Sequence, residues 1–409
     1  MKKNIFIFIF IFIFIFILLF FYYSNKKNKK TTITLFNWGE FINDEIIEEF
    51  NKTDPDFEIK QSFFVSNELA INKIKTGNVY DIVILSEYAI EQLQKDNYLK
   101  QMFLGSDGLF ENLKEKPNLN KFLSKILEKN GAFNKEIFYN SENKNKGFYA
   151  IPYVWGNVGL LYNKKIFTDM NMKIKDWKSI FKKPEMKISL YNNPKDVLFM
   201  GLKATGCDSK NIKKPSDEEI TNAKEWLIDL KKQNSQLSFV TDQILDNMKE
   251  KNNERYDISL VYSGDAAFLM EKNDNLDYYT FNDKDETNKG TNIWVDGIII
   301  PKNSNIKGAN KFINFLFKED NLKKNYDYIK YASPYSEENK IISNDSIEQD
   351  VIYNYDKELN KKIFDAWYEI YSASIRSDKW LFIFSFLIII FILLFNLFFS
   401  YSKKKLNPH

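Results

Sequence analysis

The apolar positions of residues 32–95 switch repeatedly between the two-residue period of strands and the longer period of helices. Three short runs rich in β-branched and aromatic residues are predicted strands: Thr32–Asn37, Phe57–Phe63 and Tyr80–Leu85. The segments that follow them are predicted helices: Asp44–Lys52 with Asp44 as N-cap, Ser66–Lys75, and a third from Ser86. Strands and helices in this order predict a parallel sheet with helices on both faces.

The same alternation continues through the central part of the chain. Further strands are predicted at Phe148–Tyr153, Val158–Tyr162, Asp257–Tyr262 and Trp294–Ile300. Further helices are predicted at Pro194–Ala204, Asp217–Lys231, Ser263–Met270, Lys307–Phe317 and Lys357–Ser372. The hydrophilic stretches Phe133–Lys146 and Asn282–Thr291 are predicted loops. A segment of about 350 residues can bury a large core, which we expect to be divided between two lobes.

Both ends of the chain carry long apolar segments. Ile5–Tyr23 has 19 residues without a charge, and Trp380–Tyr401 has 22 residues with only three polar interruptions. At about 1.5 Å of rise per residue, either helix would span the roughly 30 Å hydrocarbon layer. A cleaved signal peptide is the alternative for the first segment, but bulky residues stand where a cleavage site needs small ones. We therefore expect an uncleaved anchor, a cytoplasmic C-terminus because of Lys403–Lys405, and a domain of residues 31–378 outside the cell.

The net charge of +3 is unevenly distributed over the 409 residues. Residues 1–30 and 379–409 hold ten lysines and no acid, so residues 31–378 hold 48 basic and 55 acidic residues, a net charge of −7. The pI of about 8.4 therefore gives no reason to expect binding to nucleic acid. The acidic central segment instead favours cationic partners.

The chain has one histidine, His409, and one cysteine, Cys207. These counts exclude a His-based catalytic triad, a His-ligated zinc site, an internal disulfide and a Cys-rich metal site. An enzyme that uses two carboxylates, such as a glycosidase, stays open, but no pair of acidic residues stands out. Any catalysis would have to use carboxylates, Lys, Tyr, Ser or backbone groups. The absence of histidine from the fold is consistent with a protein that performs no catalysis, and we expect no enzyme activity, no cofactor and no metal.

Ligands of open α/β sheets bind at the carboxyl ends of the strands. The residues at these positions are aromatic, hydroxyl, amide or acidic, and none is basic: Trp38, Phe41, Ser86, Tyr88, Asn193, Asp196, Tyr262, Trp294 and Asp296. Aromatic faces cover methylene groups and attract ammonium groups, and a carboxylate pairs with each charged end. The set therefore suits a cation with an apolar body. Taken singly, each aromatic residue fits core packing better, and Asp196 fits the dipole of the helix that it begins.

Several short motifs stand in a fixed order along residues 32–372: Asn37–Phe41, Ser66–Glu68, Tyr80–Val83, Ser86–Tyr88, Ile151–Gly156, Asn193–Met200, Ser263–Ala267, Trp294–Asp296, Ile300-Pro301 and Ile313–Leu316. In this order and with compatible spacing, they resemble the motifs of the bacterial spermidine/putrescine-binding proteins. The opening motif of that family is Asn-Trp-x-Glu-Tyr, where this chain has Asn37-Trp38-Gly39-Glu40-Phe41.

The resemblance implies an α/β, two-lobed periplasmic-binding-protein fold of type II that closes on a polyamine in the interlobe cleft and delivers it to an ABC permease. The implied lobe 1 comprises residues 31–148 and 293–332, and lobe 2 comprises residues 149–292 and 333–378. The anchor or signal segment 1–30 and the transmembrane helix with its basic tail, 379–409, flank them. We expect a monomer in the cell membrane with its binding domain on the extracellular, periplasmic-equivalent face.

The resemblance also implies roles for single residues of lobe 1 and of the strand that ends at Asp296. Trp38 and Phe41 would pack on the polyamine chain, and Ser86 and Tyr88 would match a Ser-x-Tyr contact pair. Asp296 would hold a terminal amine, with Trp294 as the neighbouring wall.

The remaining implied contacts depart further from the family pattern. Tyr262 stands where the family has Trp, Tyr331 matches a Tyr before a Pro-containing turn, and Asn354 lies near a Gln. The two acids of the second lobe are matched by Asn193 and Asp196, so one carboxylate is lost, and Gly39 replaces a hydroxyl residue. The sequence therefore does not choose between putrescine and spermidine.

Two alternatives share the implied fold. One binds another organic cation, a sugar or ferric ion, because ferric-ion binders of this fold use paired tyrosines and the chain has 23 tyrosines. The other is a membrane-anchored surface scaffold with a degenerate cleft, which the departures at Gly39, Asn193 and Tyr262 keep open. The permease and the fate of residues 1–23 are not determined by the sequence.

Overall fold

The structure is a computed structural model. It describes residues 30–104, 110–114, 119–130, 137–139, 146–170, 177–178, 181, 183–208, 211–241, 243–280, 290–336, 350–373 and 386–395. These residues divide into two compact units. Unit 1 takes the described residues of 1–118, 135–153 and 296–329, and unit 2 takes those of 119–134, 154–295 and 330–409. The lobe boundaries implied by the sequence stay a prediction.

The described strands are β1 (Thr31–Asn37), β2 (Phe57–Phe63), β3 (Ile82–Ser86), β4 (Ala150–Asn163), β5 (Ile188–Tyr191), β6 (Ser238–Val240), β7 (Ile258–Tyr262), β8 (Leu276–Tyr279), β9 (Asn292–Ile299) and β10 (Val351–Ile352). The described helices are α1 (Asp44–Thr53), α2 (Asn67–Lys75), α3 (Glu87–Lys95), α4 (Glu111–Lys114), α5 (Lys121–Asn130), α6 (Lys164–Asp169), α7 (Pro194–Ala204), α8 (Asp217–Gln233), α9 (Gln243–Met248), α10 (Ser263–Lys272), α11 (Ile306–Leu316), α12 (Glu319–Ile329) and α13 (Lys357–Ser372).

The sheet of unit 1 is parallel over its first three strands. β1 lies between β2 and β3 and is parallel to both, as the sequence predicts. β9 then pairs antiparallel with β3, and Ser86 lies opposite Asp296. The parallel arrangement predicted for the first three strands is confirmed, and β9 adds an antiparallel strand to them. The chain reaches this strand only after passing through unit 2, so no local strand–helix–strand crossover sets its direction.

Side-chain caps set the starts of the first helices of unit 1. The Asn43 side chain accepts a hydrogen bond from the backbone N–H of Glu45 at 3.0 Å, so the predicted N-cap at Asp44 is wrong by one residue. Asp44 lies instead in the first turn, where its charge complements the helix dipole. Ser66 caps α2 by accepting from the N–H of Leu69 at 3.2 Å.

The longest strand of the structure is β4, which runs without interruption where the sequence predicts two strands, so that prediction is wrong between residues 154 and 157. Gly156 lies in the predicted break. A Cβ atom there would lie 2.6 Å from the indole ring of Trp294, so the missing side chain lets the strand continue past this ring. Within unit 2, β4 pairs antiparallel with β7 and β8, while β5 is parallel to β6 and β7.

The helix α7 has the bounds that the sequence predicts, and all eleven of its residues are buried. Its burial follows from its position against β5, α8 and α13, which contact it within unit 2. α8 begins with a reciprocal capping box. Ser216 accepts from the N–H of Glu219 at 3.2 Å, and Glu219 accepts from the N–H of Ser216 at 2.8 Å. The first turn of α8 is therefore fixed by these two hydrogen bonds.

The other predicted elements are confirmed within one to three residues at each end, apart from β4. The predicted loops at 133–146 and 282–291 lie largely outside the described residues.

The predicted apolar end segments are described only in small part. Ile5–Tyr23 lies outside the described residues, and of Trp380–Tyr401 only 386–395 are described, as a helix with exposed apolar side chains. Within the described ranges, the structure contains no helix that is both long and apolar enough to cross a bilayer.

Candidate ligand-binding site

An acidic side chain of unit 1 is buried where β9 passes the end of β3. Asp296 is 3% exposed, and among the described residues its Oδ1 has no hydrogen-bond partner. Burial raises the pKa of Asp296 to about 7, while the side chains of Ser86 and Trp38 act in the opposite direction. Trp38 lies close enough to have this effect, although its Nε1 completes no hydrogen bond of normal geometry to a described residue. Asp296 is therefore a buried acid that no described cation neutralises.

Aromatic contacts within unit 1 fix the two aromatic residues that follow β1. The ring of Trp38 lies 4.5 Å from that of the buried Phe64, measured between centroids. Phe41 is 7% exposed, and its carbonyl accepts a hydrogen bond from the Tyr153 hydroxyl at 2.8 Å. Burial is the main cause of the raised pKa of Tyr153, and the Asp296 carboxylate adds to it. The backbone at Phe41 is therefore held by the buried Tyr153.

The predicted pair Ser86 and Tyr88 is organised by Asn67. The Asn67 Nδ2 donates to the Ser86 hydroxyl and to the Tyr88 hydroxyl, each at 3.0 Å, and its Oδ1 accepts from the Ser86 N–H at 3.2 Å. Tyr88 donates its own proton to Glu68 at 3.0 Å. Burial, then Glu68, raises the pKa of Tyr88 well above its ordinary value, so this hydroxyl stays protonated. Ser86 is held beside Asp296 by this network.

The acidic group of unit 2 lies at the start of α7. Asn193 is the N-cap, and its Oδ1 accepts from the N–H groups of Lys195 and Asp196 at 3.0 and 3.5 Å. Asp196 is 3% exposed and accepts from the Tyr262 hydroxyl at 2.7 Å and from Asn292 Nδ2 at 3.0 Å. Burial, then Asp196, raises the pKa of Tyr262 well above its ordinary value, which keeps the phenol as a donor. One carboxylate is therefore held by two neutral groups.

An aromatic cluster surrounds the strand end that carries Tyr262. Its ring lies 4.6 Å from that of Tyr191 and 5.5 Å from that of Trp294, and Trp294 lies 5.2 Å from Tyr331. Tyr331 donates to Asp265 at 2.9 Å, which brings a second acid to the cluster. The indole Nε1 of Trp294 is buried without a partner among the described residues. The cluster thus combines aromatic faces with two carboxylates.

The structure brings most of the predicted site residues into two connected groups, one in each unit. Unit 1 groups Trp38, Phe41, Ser86, Tyr88 and Asp296, and unit 2 groups Asn193, Asp196, Tyr262, Trp294 and Tyr331. Asn354 differs, because it is exposed directly after Tyr353, whose hydroxyl donates to the carbonyl of Lys195 at 2.9 Å. Ligand binding by all eleven residues stays a prediction.

Three residues that organise these groups were not predicted from the sequence: Asn67, Asp265 and Asn292. Asn67 and Asp265 lie inside motifs that carry the family resemblance, so their segments were marked but their contacts were not. Asn292 lies two residues before Trp294 on β9, and the two-residue period of a strand places both side chains on one face. That spacing was the available signal for Asn292.

The side chains of the two groups are suited to binding a cation. Asp296, Asp196 and Asp265 offer carboxylates, while Trp38, Trp294 and the tyrosines offer aromatic faces. Within the described part of the chain, no cluster of three or more His, Cys, Asp or Glu side chains could hold a metal ion.

Comparisons with known proteins agree on the family. The model of the bacterial extracellular solute-binding proteins matches residues 45–352. The chain belongs to the bacterial extracellular solute-binding protein family. It is 26% identical to the spermidine/putrescine-binding periplasmic protein of Salmonella typhimurium over 76% of this chain and 80% of that protein.

Solved structures of other substrate-binding proteins show the same fold. The spermidine/putrescine ABC transporter substrate-binding protein of Streptococcus pneumoniae aligns with a TM-score of 0.60 at 23% identity, over 84% of this chain and 99% of that one. The A. tumefaciens PBP MotA in complex with glucopine aligns with a TM-score of 0.55 at 15% identity, over 83% and 99% of the two chains. The resemblance to the spermidine/putrescine-binding proteins is confirmed, and so is the two-lobed solute-binding fold.

Proposed function

We propose that this solute-binding protein is the polyamine receptor of an ABC importer, with putrescine or spermidine as its ligand. The observation that carries the proposal is Asp296, a carboxylate that is 3% exposed and keeps one oxygen without a partner among the described residues. Burial of an unpaired charge costs free energy unless a cation meets it. The ammonium group of a polyamine supplies that cation, and Trp38 beside it suits the methylene chain.

The residues of unit 2 supply the contacts for another ammonium group in this proposal. Asp196 is fixed by Tyr262 and Asn292, and Trp294 lies between the rings of Tyr262 and Tyr331. Aromatic faces bind both methylene groups and ammonium groups, so a diamine matches the mixture of acids and rings. Each unit therefore has one buried acidic group that suits an ammonium group, Asp296 in unit 1 and Asp196 in unit 2.

The proposal covers both putrescine and spermidine because of Asn193. Its Oδ1 caps α7 and its Nδ2 donates to Tyr262 at 3.1 Å, so it supplies no carboxylate for a third charge. Loss of one partner of a buried charge pair costs about 2–5 kcal/mol in typical complexes. We therefore expect the extra ammonium of spermidine to gain less here than in a site with two acids.

We also propose that Ile5–Tyr23 and Trp380–Tyr401 anchor the receptor as a monomer in the cell membrane, with the binding domain on the extracellular face. The lengths and apolar character of both segments support this, and residues 386–395 are helical with exposed apolar side chains. Anchoring would raise the local concentration of the receptor at its permease. After alkaline extraction of membranes, an anchored receptor stays in the pellet, whereas release into the soluble fraction contradicts anchoring.

Isothermal titration calorimetry on the full-length chain in mild detergent tests the ligand. We expect binding of putrescine or spermidine, and a loss of at least tenfold in affinity for Asp296→Asn, which removes the charge and keeps the shape. Asp327→Asn is the matched control, because Asp327 is an exposed acid of unit 1. If the wild-type chain melts cooperatively but gives no heat with either polyamine, the proposal is rejected.

A second candidate keeps the fold and changes the ligand. The A. tumefaciens structure of the same fold is a complex with glucopine, so the fold alone does not select polyamines. A thermal-shift panel of polyamines, sugars, amino acids and ferric ion separates the two candidates. The candidate that raises the melting temperature most at equal concentration is favoured, and we expect this to be a polyamine.

A further inference from the structure

Asn292 is the first residue of β9 and lies on the strand face that carries Trp294. It is 2% exposed, and β10 pairs beside it in the register Val351↔Asn292. The pairing with β10 and the hydrogen bond to Asp196 at the start of α7 fix the position of Asn292 within unit 2. Neither the family motifs nor the sequence pattern marked Asn292 as a site residue.

The two polar atoms of the Asn292 side chain differ in their use. Nδ2 donates to the Asp196 carboxylate at 3.0 Å, whereas Oδ1 is buried and has no hydrogen-bond partner among the described residues. The donor contact with a carboxylate identifies which end of the amide is nitrogen. A buried acceptor without a protein partner is rare in folded proteins, and a hydrogen bond from a bound ligand is one way to satisfy it.

Asn193 also contacts the Asp196 segment but has no polar atom to spare. Its Oδ1 accepts from two backbone N–H groups at the start of α7, and its Nδ2 donates to Tyr262. Asn292 Oδ1 is therefore the amide oxygen beside Asp196 that is still free to accept. The family resemblance implies a ligand contact at Asn193. The contacts within unit 2 instead favour Asn292 as the amide that can bind the ligand.

We infer that Asn292 is a specificity-determining ligand contact, and this rests on the proposed function. The ammonium group that pairs with Asp196 donates one N–H to Asn292 Oδ1, while Asn292 Nδ2 holds the carboxylate in place. A primary ammonium has three N–H donors, so it can bind a carboxylate and an amide oxygen at once. A ligand nitrogen that carries a single N–H donates it to the carboxylate, so Asn292 Oδ1 receives no hydrogen bond.

The test compares putrescine with N,N,N′,N′-tetramethylputrescine, which keeps both charges but has one N–H on each nitrogen. Titration calorimetry at pH 8 gives the dissociation constants for the full-length chain. We expect Asn292→Leu to weaken putrescine binding at least tenfold, which is about 1.4 kcal/mol at 25 °C. We also expect the preference for putrescine over the methylated diamine to fall at least fivefold, because only putrescine has a spare donor for residue 292.

Two further variants separate this contact from a structural role. Asn292→Asp keeps an acceptor oxygen, so we expect it to retain the wild-type preference for putrescine. Asn222→Leu makes the same substitution at an exposed asparagine of α8 and should leave the preference unchanged. Should Asn292→Leu fail to melt cooperatively, Asn292→Ser carries the test, because its shorter side chain removes the amide oxygen with less steric change.

The outcomes distinguish this inference from the function on which it rests. If the wild-type chain binds no polyamine, both fall together. If it binds putrescine but the variants at residue 292 weaken both diamines by the same factor, Asn292 is a structural residue and only this inference is overturned. A change in preference confined to Asn292→Leu or Asn292→Ser supports it.

Discussion

If the ligand is a polyamine, as proposed, its affinity should fall when the pH is lowered from 8 to 6. The cause is Asp296, whose pKa burial raises to about 7 in the ligand-free protein. An ammonium group pairs with the ionised form only, so a proton and the ligand compete for the same carboxylate. The amines of putrescine and spermidine stay charged across this range, since alkyl ammonium groups titrate near pH 10.

The magnitude follows from the fraction of protein in which Asp296 is protonated. With a pKa of about 7, about 90% of ligand-free Asp296 carries a proton at pH 6 and about 10% at pH 8. The apparent dissociation constant should therefore rise about tenfold between pH 8 and pH 6. Binding at pH 6 should release about 0.9 proton for each ligand, and binding at pH 8 should release about 0.1.

Calorimetric titrations in buffers of different ionisation enthalpy measure both quantities at once. Asp296→Asn is the control, because its affinity, though weaker, should lose this pH dependence. The control also isolates Asp296 from Lys203 in unit 2, whose pKa burial lowers to about 8. A wild-type affinity that changes less than twofold between pH 6 and pH 8, with less than 0.2 proton released at pH 6, would refute the reasoning.

Three other predictions concern the free energy of unfolding. In urea unfolding, Asp296→Asn should stabilise the ligand-free chain by up to about 4 kcal/mol at pH 8 and by less than about 2 kcal/mol at pH 5. An unchanged urea midpoint at pH 8 contradicts this prediction. The sign follows because a folded pKa of about 7, against 3.8 as the ordinary value, favours folding below pH 3.8 and loses that contribution as the pH rises through 7. Gly264→Ala should cost about 1–3 kcal/mol in thermal unfolding, because its Cβ would lie 2.4 Å from the ring of Tyr331. Equal melting temperatures would contradict this close approach of Tyr331 to Gly264. Ser216→Ala should cost about 1 kcal/mol by removing the cap of α8, and a loss below 0.3 kcal/mol would show that the cap contributes little.

Local signals in the sequence were sufficient for most helices. The bounds of α7 and α13 were predicted without error, because each helix begins directly after a capping residue, Asn193 for α7 and Asp356 for α13. The same local signals failed at β4. The sequence of residues 154–157 indicates a break, yet they form strand because Trp155 bridges to Ala332 and Gly156 makes room for Trp294.

The candidate site was predictable as a set of residue types but not as a set of contacts. The motifs marked Asp296, Asp196 and the aromatic residues around them, since these positions lie at strand ends and match a family pattern. The motifs could not show that the Asn193 side chain caps α7. They also could not show that Asn292 donates a hydrogen bond to Asp196, which lies 96 residues earlier in the chain. Such contacts depend on strands and helices that are distant in sequence.

By itself, the sequence determined the alternation of strands and helices, the acidic character of residues 31–378 and the family to which the chain belongs. These properties depend on composition, periodicity and ordered motifs, all of which can be read along the chain. Only the tertiary structure decided which polar atoms of the described residues are left without hydrogen-bond partners. Burial at Asp296 and at Asn292 arises from residues brought together by folding, and burial is what makes an unpaired carboxylate or amide oxygen energetically costly.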